Sequence, residues 1–182
     1  MHIVLTTPRL RLRWFEPGAA GDQQFLIDMV NDPDWIAYIG KRDVSTREQA
    51  EAYLRLGPRA MCERLGHGLF LVERRDTSEA VGMCGLVRRE GLDSADLGFA
   101  FLPAWRGQGL AREAAQGVLR WARDDLKLER LLAIVTPEND RSLGLLQRLG
   151  FVREGTVTLP GGQETLLSLA WSANTAGDGA PG

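Results

Sequence analysis

The run Arg106-Gly107-Gln108-Gly109-Leu110-Ala111 is the segment of the chain best suited to chemistry. Glycines at 107 and 109 let a backbone turn tightly and come close to a ligand. If a helix opens at this point, its first amides point outward with the positive end of the helix dipole behind them. Such a turn is an anion cradle, suited to a diphosphate. No Lys-Ser/Thr pair follows, so it is not a Walker-type phosphate loop. Its spacing and its position late in the chain also set it apart from the dinucleotide-binding GxGxxG.

The flanking elements have to hold that turn in place. From Gly109 onward, Leu110, Ala114, Val118, Trp121 and Ala122 fall on one side of a helical wheel, and Arg112, Glu113, Gln116, Arg120, Arg123 and Asp124 fall on the other. Asp96 to Leu102 reads as the strand before the turn. Near the start, Leu10, Leu12 and Trp14 alternate with Arg9, Arg11 and Arg13, which predicts a strand over 9–15 with one buried face. Helices are expected over Asp22 to Asn31 and from Ser45, where Ser45 and Glu48 have capping-box spacing; Pro58 should kink or split the second.

Leu69 to Glu73 and Ala80 to Arg88 flank the polar Asp76-Thr77-Ser78-Glu79 turn and predict a hairpin. Leu131 to Val135 is a further strand, and a last helix over Asp140 to Leu149 should close at Gly150, with Phe151 reaching back to Leu146. A terminal hairpin joins 151–158 to 164–171 through Pro160-Gly161-Gly162. Antiparallel hairpins with one strand–helix–strand crossover make the class α+β with a mixed sheet.

Composition narrows the function. A chain of 182 residues and 20.1 kDa matches one domain, here expected over 1–173, followed by a small polar stretch over 174–182 too poor in apolar residues to stay ordered. Hydrophobic residues make up 44% and charged residues 25%, and no apolar run is long enough to span a membrane. The formal charge of -2, from 22 Lys+Arg against 24 Asp+Glu, supplies no basic field for a nucleic-acid backbone. Cys62 and Cys84 lack CxxC spacing and the opening MHIVLTTPRLRLRW has no apolar signal core, so a reducing cytoplasm is the expected setting. With His2 and His67 as the chain's histidines, no zinc motif can be assembled and no metal is expected. Cys84, within an apolar strand, reads as a small core residue, and His67, between Gly66 and Gly68, as a loop residue.

Phe99-Ala100-Phe101-Leu102-Pro103-Ala104-Trp105-Arg106 with the Gly-Gln-Gly-Leu-Ala that follows resembles the acetyl-CoA motif of the GNAT N-acetyltransferase superfamily. The opening TTPRLRLR, the segment NDPDWIAYIG and the run Asn139-Asp140-Arg141-Ser142 leading to Leu149-Gly150-Phe151 resemble its RimJ/RimL-like branch. The resemblance covers about Thr7 to Trp171. It implies a GNAT-like, mostly antiparallel twisted sheet flanked by helices, with a splayed parallel strand pair holding acetyl-CoA. Phe101 and Leu102 would present backbone to the pantetheine arm, and the amides of Arg106, Gly107, Gln108, Gly109, Leu110 and Ala111 would hold the pyrophosphate. Asn139 would contact the arm as well as cap the last helix. Ser142 would protonate the departing thiolate in place of the tyrosine used by other members. Asp96, where the branch often has glutamate, would take the amine proton directly or through water. Trp35, Tyr38 and Ile39 would line the acceptor side.

These readings converge on acetyl transfer from acetyl-CoA to a primary amine, either a protein N-terminus or a small molecule, by direct attack on the thioester. A backbone amide near Phe101 would stabilise the tetrahedral oxyanion. An α-amino group, with a pKa of about 7.7–8.0, loses its proton more readily than lysine at about 10.4, which favours α-amine acceptors at a weakly basic site. A monomer or homodimer is expected. The rival reading is a non-catalytic acyl-CoA-binding sensor, which would keep the cradle but not need Asp96 and Ser142. A nucleotide-binding protein is disfavoured because the loop has no phosphate-binding lysine.

Overall fold

A computed structural model of the chain describes residues 1–174; most of the stretch expected to be a disordered tail, residues 175–182, lies outside the described residues. Eight strands form one sheet in the order β1-β2-β3-β4-β5-β6-β8-β7. They are β1 (Ile3–Thr6), β2 (Leu10–Arg13), β3 (Leu69–Arg74), β4 (Ala80–Val87), β5 (Asp96–Phe101), β6 (Arg130–Val135), β7 (Val152–Val157) and β8 (Leu166–Ser172). The helices are α1 (Ala20–Val30), α2 (Pro33–Tyr38), α3 (Arg47–Leu54), α4 (Ala60–Leu65), α5 (Leu110–Asp124) and α6 (Asp140–Arg148). All sheet neighbours are antiparallel except β5 and β6. This is the α+β, mostly antiparallel sheet flanked by helices that the sequence implied.

The two largest apolar clusters pack against the sheet. One packs Leu110, Ala114, Val118 and Ala122 of α5 with Leu10, Leu12, Phe70, Phe101 and Leu131 from the strands. The other gathers Phe25, Leu26 and Met29 of α1, Trp35 of α2 and Leu54 of α3 with Leu71 and Met83. The arginines alternating with Leu10 and Leu12 each meet a carboxylate. Arg9 Nε bonds Glu113 of α5 at 2.6 Å, Arg11 Nη2 bonds Glu73 at 2.7 Å, and Arg13 joins Glu73 and Asp22 at 2.7 Å each. Arg13, Asp22 and Glu73 are buried, and the two carboxylates together raise the Arg13 pKa against the opposing effect of burial. The period-two pattern of β2 is thus apolar on one side and salt-bridged on the other.

Local signals translate into structure with a few shifts. Gly150 stands at φ +89°, its N–H donates to Gln147 O, and Phe151 N–H donates to Leu146 O at 3.0 Å, the double bond of a Schellman cap. The capping box forms one residue later than expected. Thr46 caps α3 and Gln49 reaches back to its amide, while Ser45 only joins the same Gln49 side chain. Pro58 does not split its helix. It sits in a π-helical turn (Arg55–Arg59) whose wider hydrogen-bond spacing accommodates a residue without an N–H. Strand β1 and helix α2 were not expected, because four residues and six residues are too short to show a period.

Candidate active site

The parallel ladder between β5 and β6 contains one residue pair, Asp96 with Leu132. Beyond it the strands part. Strand β5 stays with β4 over six pairs from Val87/Asp96 to Gly82/Phe101, and β6 stays with β8 from Arg130/Ser172 to Val135/Leu167. Leu102 N–H donates to Val81 O, which fixes the phase of the β4–β5 ladder. Alternation then turns the backbone of Phe99 and Phe101 away from β4, toward the opening beside β6. Leu102, expected to do the same, uses its N–H on Val81 and its C=O on Trp105 N–H. Phe101 C=O accepts from Arg106 Nε at 2.8 Å. The backbone groups turned into the gap and not spent on Arg106 therefore include those of Phe99 and the N–H of Phe101.

At the far end of β5 the chain makes a short 3-10 turn (Pro103–Trp105) and enters α5 through Gly107 and Gly109, at φ +74° and +76°. A side chain at either position would be strained by the backbone alone. The first intrahelical bond runs from Glu113 N–H to Gly109 O, so the amides of Leu110, Ala111 and Arg112 precede the helical ladder and stay available. Arg9 steadies this turn by donating to Gln108 O at 3.0 Å, and Gln108 Nε2 donates to Ala104 O at 2.9 Å. Arg106 is different. Its N–H goes to Pro103 O, and its guanidinium grips Asp34 at 2.7 Å and Asp32 at 2.5 Å. The residue expected to head the anion cradle is bonded instead to the start of α2.

Helix α2 lies across the mouth of the gap. Asp32 caps it by accepting from Trp35 N–H, Arg106 holds its first turn, and Tyr38 O at its last residue accepts from Thr136 Oγ1 at 2.9 Å, just after β6. The result is a cleft of about 130 Å³ that brings together Trp35, Tyr38, Ile39, Asp96, Asn139 and Ser142. These six positions come from three separate stretches of the sequence and were expected at one site. The wall of this cleft also includes Phe99, Gly98, Arg89 and Thr136, which the sequence did not single out. A larger depression near Glu16, Arg55 and Arg59 contains none of the expected residues. Cys84, buried in β4 with its thiol pushed above the usual range, and Cys62, pushed up by burial to about 12, lie outside the cleft, as does His67.

Each polar group in the cleft has a definite state. Asn139 Oδ1 caps α6 by accepting from Ser142 N–H at 3.1 Å, and its Nδ2 has no partner among the described residues. The Ser142 hydroxyl has no partner among the described residues, and neither does the buried Trp35 Nε1. Asp96 is 1% exposed although it stands at the start of a strand. Burial pushes its carboxyl up, and Arg89 Nε, at 3.0 and 3.2 Å from its two oxygens, only partly opposes that. Among the described residues no group of three or more His, Cys, Asp or Glu could hold a metal, and no helix is long and apolar enough to cross a membrane.

Residues 9–152 match the family model described as an acetyltransferase (GNAT) domain. The chain therefore belongs to the GNAT acetyltransferase family. This GNAT chain is similar to the uncharacterized N-acetyltransferase YnaD of Bacillus subtilis (strain 168), at 31% identity over 155 residues and 85% of each chain. It is 34% identical over 82 residues to the ribosomal protein uS5-alanine N-acetyltransferase of Escherichia coli (strain K12), a match covering 44% of this chain and 42% of that one. Its fold matches that of RimL, a ribosomal L7/L12 alpha-N-protein acetyltransferase solved in complex with coenzyme A. The TM-score is 0.67 at 17% identity, over 94% of this chain and 98% of the other. The family transfers acetyl groups from acetyl-CoA, and the splayed strands with free amides at the start of α5 are a suitable seat for that molecule.

Two substitutions separate the roles of the turn. Gly109→Val, strained at φ +76°, is expected to cost at least about a hundredfold in acetyl-CoA affinity in a folded protein; calorimetry showing unchanged affinity would remove the cradle. Arg106→Ala is expected to leave that affinity within about threefold and to raise the acceptor KM roughly tenfold, because the guanidinium is spent on α2 rather than on the anion. The reverse pattern, a large loss of acetyl-CoA affinity with an unchanged acceptor KM, would return Arg106 to the cradle.

Proposed function

We propose that the protein transfers the acetyl group of acetyl-CoA to a primary amine by direct attack. The observation that carries this reading is one cleft where the backbone of a splayed strand, a buried carboxyl and an unpartnered hydroxyl face each other. Acetyl-CoA supplies an activated thioester. The amides of Gly107 to Arg112 would hold its diphosphate, while Phe99, Phe101 and Asn139 Nδ2 would bond the arm lying between β5 and β6. The Phe99 or Phe101 N–H would donate to the thioester carbonyl oxygen as negative charge builds there.

Asp96 is the base in this reading. Its raised pKa brings the carboxylate nearer to the basicity needed to accept an amine proton, directly or through one water. Ser142, with an unspent hydroxyl one turn into α6, is the acid that returns a proton to the departing thiolate. Trp35, Tyr38 and Ile39 form the acceptor wall on α2 and just beyond it. The ribosomal-protein acetyltransferases among the relatives support a protein N-terminus as one acceptor class, and a small-molecule amine fits the same chemistry. A non-catalytic acyl-CoA sensor would have no use for the two proton-transfer groups, and nothing else in the cleft favours it.

Ser142→Ala is expected to leave acetyl-CoA affinity nearly intact and to lower turnover by about ten- to a thousandfold, because the proton is needed only as the thioester breaks. Full turnover where chemistry limits the rate would return Ser142 to an ordinary helix position. Asp96→Asn tests the other end of the proton path. With the Asp96 carboxyl raised, the wild-type rate should climb with pH through a midpoint above the ordinary aspartate value of about 3.9, as the carboxylate forms. The variant should lose that limb. A limb that stays in place assigns the base to another group.

A further inference from the structure

The cleft has an uneven balance of hydrogen-bonding groups, and this bears on what the acceptor carries besides its amine. Arg89 and Asp96 are the two charged residues that line it. Both Asp96 oxygens are engaged by Arg89 Nε, and the side chain is 2% exposed, so it presents little negative surface to a ligand. The terminal nitrogens of Arg89 have no partner among the described residues, and its side chain is 37% exposed. Its unspent N–H groups join that of Asn139 Nδ2. The wall offers unspent donors and one cation whose fork is open.

Position adds to the argument. Strand β5 runs from Asp96, where the ladder with β6 closes, to Phe101, about 17 Å further on at strand rise, where the anion cradle begins. A ligand anchored by its diphosphate at the cradle and running down the gap ends near Asp96. Arg89 therefore stands at the reacting end of the cleft and not at the diphosphate end. A polyamine would need carboxylates to neutralise its further charges, and the cleft has none to spare.

Resting on the acetyl-transfer reading, we infer that the acceptor is an amine bearing a carboxylate a few bonds away, bound by the open fork of Arg89. A planar guanidinium pairs with carboxylate through two parallel bonds, and a ligand held there would keep its amine beside Asp96. The carboxylate could belong to a free amino acid or to an acidic residue next to a peptide N-terminus, since both present the same chemistry.

Acceptor-dependent thiol release from acetyl-CoA by the full chain tests this with matched pairs whose amines are alike. These are alanine against alaninamide, with rates expressed per neutral amine, the C-terminally amidated peptide Ala-Glu-Ala against Ala-Gln-Ala, and spermidine alone. The carboxylate member of at least one pair should exceed its amide partner in kcat/KM by roughly ten- to a hundredfold, mostly through KM. Preference within the first pair points to a free amino acid and within the second to a peptide. Arg89→Gln should collapse that ratio toward one. Because the ratio is taken within one variant, any altered basicity of Asp96 cancels.

Equal rates within both pairs, a preference for spermidine, or a ratio unchanged in a folded Arg89→Gln variant would overturn the inference while leaving acetyl transfer in place. If Arg89→Gln does not fold, the paired acceptors on the unaltered protein decide. Thiol release with none of the acceptors would overturn the inference, and if a broad amine panel is also silent the acetyl-transfer reading fails with it.

Discussion

The site depends on the parting of β5 from β6 after a single residue pair. Parallel strands normally continue their ladder, because an unpaired amide or carbonyl inside a protein is costly. Here each strand keeps a full ladder on its other side, β5 with β4 and β6 with β8, while the two halves of the sheet diverge and expose the inner edge of β5. That edge contributes the backbone of Phe99 and Phe101, and the chain leaving it turns directly into the glycine cradle. One departure from regular pairing thus creates the space for a long ligand and aims the backbone groups that can hold it.

Ion pairs then fix what surrounds the gap. The alternating arginines of β2 tie that strand to α5 through Glu113, to β3 through Glu73 and to α1 through Asp22. Arg106 does the same for α2. Its contacts with Asp32 and Asp34 draw the helix bearing Trp35 and Tyr38 over the opening, and Thr136 fastens the other end. Helix α2, the proposed acceptor wall, is therefore anchored both to the glycine turn before α5 and to the loop that follows β6.

The expected site residues divide by how local their signals are. Gly107 and Gly109 have the backbone conformation their identity suggested, and Asn139 caps α6 while keeping a donor for the cleft. Arg106 and Leu102 were placed with the cofactor by position in the motif, yet their polar groups are taken up by Asp32, Asp34, Pro103, Val81 and Trp105. Arg89 went unnoticed because an arginine after a strand is usually a solvated end, and nothing near it in sequence marks Asp96, seven residues on, as buried. The Asp32-x-Asp34 pattern was visible within NDPDWIAYIG, but its partner lies more than seventy residues away.

What the sequence determined by itself was whatever a few neighbouring residues can decide. Glycine tolerates φ > 0, an asparagine can cap the amide three residues on, and alternation or helical spacing selects a buried face. Those rules located the glycine turn, the helix behind it, the hairpins and the Schellman turn. The splayed pair was implied by resemblance to the GNAT family and not by the residues of β5 and β6 alone. Tertiary structure decided which charges meet and which groups stay free, as when Arg106 reaches back 74 positions to Asp32 while Arg89 keeps its fork open over a buried Asp96. The physical reason is that an arginine's five donors bind whatever carboxylate or carbonyl the folded chain brings within about 3 Å, and that distance is set by the packing of the whole sheet.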